Sequence, residues 1–432
     1  MDFGLFQNVA LVVAAPGCRC CGHHRALRAP PLFFFSLARN PPRSRQHWGL
    51  VSSLETPCLL VDLDALEENL QRLPETLKSY PHVAIRPHAK AHKSSSVGQL
   101  QLHMSHAVGL CCQKVGEAEA MFHGGVRDLL LSNEVYGESR YERMARLVQG
   151  GAQVTLVFDS VETVGQAAKI AEDRNVHFRA LVEVNVGQDR CGVDTVNEVV
   201  HLAKTIESYA PRLQMVGIQA YHGAAQHIRS YDEKTTVIAD VAEKAKTVRD
   251  ALLERGLKCD VVTGGGTGTY LLEAASGVFT EVQPGSYLFN DADYARNRGQ
   301  DGEFVHDWKQ SLYVLTTVVS KNEKAAVPRA VVDAGTKAVS VDSGSPLVHA
   351  FLNGEKLPTP LEYHGGGDEH GILKPQQHVL DAEKVALPAL GSQLLLIPGH
   401  CDPTTNMYDH LVGYRGNRVE HVWEIEARGP GN

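Results

Sequence analysis

Eight short β-like runs separated by turns and helical stretches are the feature that most narrows how this chain can fold. They lie at 82–88, 107–113, 128–133, 153–159, 178–187, 213–222, 259–265 and 279–285. Each is a short apolar run closed by polar or glycine-containing residues, as strands are. Between most of them the apolar spacing is helical, as in "KVGEAEAMFHGG" and "YDEKTTVIADVAEKAKTVRDALLERG". Eight strands alternating with helices predict a (β/α)8 TIM-type barrel, with a doubly wound open sheet as the alternative from the same pattern. "VDLDALEENLQRL" (61–73) predicts a further helix with Asp62 or Asp64 near its start.

After about residue 304 the helical period fades. "WKQSLYVLTTVVS", "PRAVVDAGTKAVS", "SQLLLIPGH" and "VEHVWEIEARG" read as strands between Gly/Pro turns, predicting an antiparallel β-rich domain. The expected organisation is an extension over 1–54, a barrel over 55–304 and the β-rich domain over 305–432, which suits a length of 432 residues.

The extension stands apart in composition. It holds six arginines (Arg19, Arg25, Arg28, Arg39, Arg43 and Arg45) against one acid, Asp2. Such a segment is compatible with an organelle transit peptide, and equally with an unstructured extension or a misassigned start. The expected location is a chloroplast or mitochondrion on the first reading and the cytoplasm otherwise. A net charge of −8 with mixed signs offers no basic field, which argues against a nucleic-acid partner. No apolar run approaches membrane-spanning length, "LFFFS" (32–36) being far too short, so no membrane partner is expected. Nine cysteines without framework spacing read as reduced thiols.

In a barrel, functional groups belong at the carboxyl ends of the strands. The polar and glycine-rich clusters "RPHAKAHK", "NVGQDRCG", "AYHGAAQH", "TGGGTGT" and "QPGSY" fall there. Lys90 and Lys93 close the first run among two histidines and an arginine. A lysine at a barrel mouth is costly to bury unless paired, neutral or used covalently. A Schiff base to pyridoxal phosphate is one such use, and neighbouring cations would depress the lysine pKa; a basic, solvated turn is the other reading. "TGGGTGT" (263–269) offers closely spaced backbone N–H groups for an anion. It matches neither the dinucleotide G-x-G-x-x-G pattern nor the P-loop, and a plain tight turn is the alternative.

"PGHCDPT" (398–404) places three ligand-type residues side by side. If the segment is extended, His400 and Asp402 share one face and Cys401 points away. Imidazole with carboxylate suits a divalent metal such as zinc, manganese or iron, with remaining positions open to water or substrate. The acidic and histidine residues of "EYHGGGDEHG" (362–371) are compatible with supporting roles around a metal or with a polar loop.

Together these stretches resemble the fold-type III pyridoxal-phosphate enzymes, with their alanine-racemase-like barrel and β-domain. Within them the likeness is to the group of D-threonine aldolases and eukaryotic D-serine dehydratases. "TPCLLVDLDALEENL", "RPHAKAHK", "VEVNVGQDRCGV", "QAYHGAAQH", "GGGTGTY", "QPGSYLFND", "GDEHG" and "PGHCDPT" carry it, across nearly everything after residue 54. The resemblance implies that Lys90 binds pyridoxal 5'-phosphate covalently. It implies cofactor contacts from Arg190, Tyr221, Gly265, Gly266 and Thr267, a divalent metal at the "GHCD" segment, and a homodimer. Dehydratases of the group carry His-x-Cys with zinc and the aldolases His-x-Asp, so His400 and Asp402 point to an aldolase. A carboxylate site also admits harder ions, Mn²⁺ or Mg²⁺. His227 then stands where the group's proposed base removes the β-hydroxyl proton. The expected reaction is retro-aldol cleavage of D-threonine and other D-β-hydroxy-α-amino acids to glycine and an aldehyde. The alternative is dehydration of D-serine or D-3-hydroxyaspartate.

Overall fold

The computed structural model describes residues 49–376 and 385–431. Most of the expected extension, residues 1–48, lies outside the described residues.

All eight anticipated runs contain strands: Ala84–Ile85, Leu110–Cys112, Asp128–Leu131, Gln153–Phe158, Phe178–Glu183, Leu213–Gln219, Val261–Gly264 and Glu281–Val282. They pair in parallel with sequence neighbours, and the first also pairs with the last through Ala84↔Glu281 and Ile85↔Val282. The ring closes between the first two at the His88↔Cys111 bridge, where Cys111 N–H donates to Pro87 O at 2.8 Å. The barrel is therefore the fold, and the open sheet is excluded.

Strand alternation separates two environments. Cys111, Leu130, Val157 and Leu181 form a small cluster, while their neighbours Leu110, Leu129, Leu131, Leu156, Phe158, Ala180 and Val182 join the larger core shared with helices such as Val161–Asp173. The barrel also buries Arg86, which donates to Glu281 at 2.8 Å and to Asp128 at 2.7 Å. Between two strands, Gly217 has no substitute: a Cβ there would lie 1.8 Å from Val261 O.

Helix ends follow local chemistry. Asp62 accepts from the N–H groups of Asp64 and Ala65 at the start of Leu63–Thr76. Thr195 and Glu198 form a reciprocal capping box on Val196–Ser208.

Among the described residues the second sheet has nine strands, including Leu312–Asn322, Arg329–Val332, Gln393–Ile397 and Arg418–Glu424 from the expected β-rich region. Leu312–Asn322 changes partners along its length, pairing with Gln393–Ile397 and, past an irregularity at Val318/Ser320, with Arg329–Val332. This bends the sheet round on itself. One strand departs from expectation: Cys58–Asp62, inside the segment assigned to the barrel, pairs with Leu312–Asn322 and with His410–Arg415. The chain thus enters through the β-domain and crosses into the barrel by way of Leu63–Thr76. A single core joins the two parts, holding Leu66, Val97 and Tyr287 with Val314, Leu396 and Cys401.

Candidate active site

A cavity of about 280 Å³ opens at the carboxyl ends of the barrel strands, where the loop after Gln393–Ile397 reaches over them. Lys90, Arg190, Tyr221, His227, Gly266, Thr267, His400 and Asp402 all line it. A larger cleft of about 870 Å³ lies on the other side of the Thr267–Leu272 segment and shares only Thr267 and Tyr294 with the cavity.

The two lysines of "RPHAKAHK" have different fates. Lys90 sits in the one-turn helix Ala89–Ala91, and its N–H donates to His88 Nδ1 at 3.3 Å. Its amine enters the cavity and lies 3.5 Å from Asp402 Oδ2. Lys93 is buried elsewhere, donating to Asn406 Oδ1 at 2.7 Å and Gly429 O at 3.0 Å. Only Lys90 is placed for chemistry in the cavity.

The expected cationic depression of Lys90 is corrected by the structure. Burial does pull its pKa down, but the Asp402 carboxylate and then Tyr221 more than reverse this, leaving it raised. The neighbouring charges do not act as foreseen. Arg86 is consumed by Glu281 and Asp128 inside the barrel. Burial, aided by the Lys90 charge, lowers His88 to about 3, so it stays neutral. Its Nε2 lies 3.1 Å from Gln113 Oε1 and 3.0 Å from Ser132 Oγ.

The metal-type pair is adjacent in the cavity, by a different local route from the one expected. Extended backbone ends at His400, and Cys401–Thr405 is a short helix with His400 as its N-cap residue. Asp291 Oδ2 accepts the Cys401 N–H at 3.0 Å and pins the turn. Cys401 is fully buried in the shared core, and its thiol donates to Asp402 Oδ1 at 3.3 Å. Burial and the neighbouring Asp402 push that thiol well up, which disfavours the thiolate a metal requires. His400 Nδ1 lies 2.8 Å from Asp342 Oδ2, an arrangement that leaves Nε2 for a cation. Burial lowers the His400 pKa, but Asp402 and Asp342 outweigh it and hold the ring raised. One nitrogen and one carboxylate fit a divalent cation whose other positions are open.

The donor set also fits a phosphorylated cofactor. Among the described residues, no protein acceptor takes the N–H groups of Gly266 and Thr267. A Cβ on Gly266 would lie 2.5 Å from Gln226 Oε1 and would have to displace that amide from its hydrogen bonds to Gly268 N–H and Thr269 Oγ1. Gly265 does not line the cavity; its φ of +72° turns the chain between the strand and this pair of donors. Across the cavity the Arg190 guanidinium carbon lies 5.7 Å from the Tyr221 ring centroid.

His227 ends the turn Ala224–His227, and its Nδ1 lies 2.5 Å from Asp293 Oδ2. Asp291, Asp293 and Asp342 were not singled out in the sequence. "NDADY" does mark the first two as an acidic turn, while nothing local marks Asp342. The "GDEHG" residues sit at an exposed hairpin end between Glu355–Gly365 and Gly371–Pro375, where Lys337 donates to Glu369 at 2.6 Å. They are not part of the cavity lining.

Residues 61–293 match the alanine racemase N-terminal domain family, and 311–414 match the putative serine dehydratase domain. The chain belongs to the fold-type III pyridoxal-phosphate enzymes. Fold-type III relatives include the 3-hydroxy-D-aspartate aldolase of Paracoccus denitrificans (strain Pd 1222), 41% identical over 88% of this chain and 94% of that protein. The D-threonine aldolase of an Arthrobacter species is 38% identical over 90% of this chain and 96% of its own. The crystal structure of D-threonine aldolase from Filomicrobium marinum superposes with a TM-score of 0.79, at 36% identity, covering 90% of this chain and 99% of that one. These fold-type III relatives are aldolases, and the chain is a lyase of that family.

Proposed function

We propose that the protein is a pyridoxal-phosphate- and divalent-metal-dependent aldolase that cleaves D-threonine and other D-β-hydroxy-α-amino acids to glycine and an aldehyde. The observation that carries this reading is the meeting of Lys90, His400 and Asp402 in one cavity while Cys401 is turned into the core. A dehydratase of this group with a His-x-Cys metal site has its cysteine where this chain has Asp402.

Lys90 would hold the cofactor, with its phosphate against the N–H groups of Gly266 and Thr267. When bound, pyridoxal phosphate supplies an electron sink for the charge left at Cα as the Cα–Cβ bond breaks. His400 and Asp402 would hold the metal, whose chemistry is to acidify a hydroxyl and neutralise developing negative charge. Manganese or magnesium suits the carboxylate, and zinc also fits. His227 Nε2 accepts the β-hydroxyl proton; removing that proton lets the C–O electrons collapse to the aldehyde as the carbon–carbon bond breaks. Arg190 and Tyr221 flank the cofactor position. A homodimer and organelle import through the arginine-rich extension complete the reading.

The test is product analysis with D-threonine, D-3-hydroxyaspartate and D-serine, before and after chelation. Glycine with acetaldehyde from D-threonine, lost on chelation and restored by Mn²⁺, is the expected result. Pyruvate from D-serine without acetaldehyde from D-threonine overturns it.

A further inference from the structure

The Asp293 carboxylate is divided between partners. Its Oδ1 accepts from Arg229 Nη2 at 2.5 Å and also from Arg296 Nη2, while among the described residues Oδ2 meets only the His227 ring nitrogen. The residue is buried, and its own N–H is held by Asp291 Oδ1 at 3.1 Å. Arg229 fastens the same turn twice more, to Asp293 O at 2.8 Å and Asn297 Oδ1 at 2.7 Å. Burial raises the Asp293 pKa, but the Arg229 hydrogen bond and the His227 contact outweigh it and hold the group below the ordinary range. It is ionised at neutral pH.

An ionised carboxylate only accepts hydrogen bonds. In its neutral form the His227 ring must therefore carry its proton on Nδ1, leaving the Nε2 lone pair bare. Among the described residues Nε2 has no protein partner, and the ring lines the cavity that holds Lys90. Tyr294 packs beside it with ring centroids 5.8 Å apart. We propose that Asp293 is the positioning residue for His227, selecting the Nδ1–H tautomer and aiming Nε2 at the substrate hydroxyl. This rests on the reading of His227 as the base; the tautomer itself does not.

The test uses the holoenzyme with ¹⁵N-labelled histidine, the His227 signals being assigned by their loss in His227→Gln. The wild type is expected to show the Nδ1–H tautomer. An Nε2–H tautomer there overturns the proposal, and this measurement needs no Asp293 variant to fold. In Asp293→Asn the amide can donate or accept, so the Nε2–H form appears. Cleavage kcat then falls about a hundredfold with KM little changed, and Asp293→Glu recovers part of the loss. Added to His227→Gln, Asp293→Asn costs little more, since both remove one function. An equal loss in both backgrounds overturns the proposal by showing that Asp293 acts elsewhere. If the tautomer changes in Asp293→Asn while kcat does not, the positioning of the ring stands and the base assignment falls.

Discussion

The Lys90 amine lies 3.5 Å from Asp402 Oδ2, so the residue expected to carry the cofactor is ion-paired to a residue expected to hold the metal. Burial lowers the Lys90 pKa, and Asp402 is the first of the charges that reverse it. An ammonium is no nucleophile, so this pair holds Lys90 back from reaction with an aldehyde. Asp402→Asn is therefore expected to capture pyridoxal phosphate faster near neutral pH in the metal-free protein. Aldol cleavage should fall at least about a hundredfold, near 3 kcal/mol of barrier. Following cofactor absorbance on mixing checks the first effect, and glycine formation the second. Slower capture would show that Asp402 is not what keeps Lys90 protonated.

Cys401 should be dispensable for chemistry. Its side chain belongs to the core that joins barrel and β-domain. Cys401→Ala is expected to keep metal content and cleavage rate within a few-fold, and to cost about 1 kcal/mol of stability from the small void. Metal analysis beside urea unfolding checks both. Loss of the metal would return the thiol to the ligand set and favour dehydration.

Asp342 meets His400 Nδ1 at 2.8 Å, across 58 residues of chain. Holding the ring in the tautomer with Nε2 free is worth about 10–100-fold in metal affinity at comparable sites. Asp342→Asn should weaken Mn²⁺ binding by that range, measured by titrating the metal into chelated protein. Activity at saturating metal should largely return, because the ligands themselves remain.

How much of this was legible in the sequence depends on how local each signal is. The eight barrel strands show because each run is apolar, short and closed by turn residues. Cys58–Asp62 has the same appearance, and only its partners, Leu312–Asn322 and His410–Arg415, assign it to the other sheet. Pairing over such separations leaves no local mark. Strand alternation pairs His400 with Asp402, yet the chain turns helical at Cys401. The pair still meets because the extended N-cap and the first helical turn also present these two positions to the cavity. Lys90 and Lys93 were chemically equal in the sequence. The contacts that separate them, Asp402 on one side and Asn406 with Gly429 on the other, lie more than 300 residues away. Asp293 likewise finds His227 across 66 residues.

Glu273 carries a pH dependence of stability. It is buried behind Gly265, with Oε1 accepting from Thr269 Oγ1 at 2.8 Å and Oε2 without a hydrogen-bond partner among the described residues. Burial raises its pKa from 4.5 to about 7, against the lowering effect of the Thr269 hydrogen bond and of Lys234. Between those values the folded protein keeps the proton and the unfolded chain has lost it, so folding takes up a proton. Stability therefore falls as pH rises through the window from about 4.5 to 7, by roughly 3 kcal/mol at most, and the cost of the buried charge stands in full above it. Glu273→Gln stays neutral throughout and removes this slope. Urea unfolding at pH 5 and pH 8 should show the variant gaining on the wild type at the higher pH, with the two closest at the lower. Parallel curves at both pH values would mean that Lys234 keeps Glu273 ionised across the range.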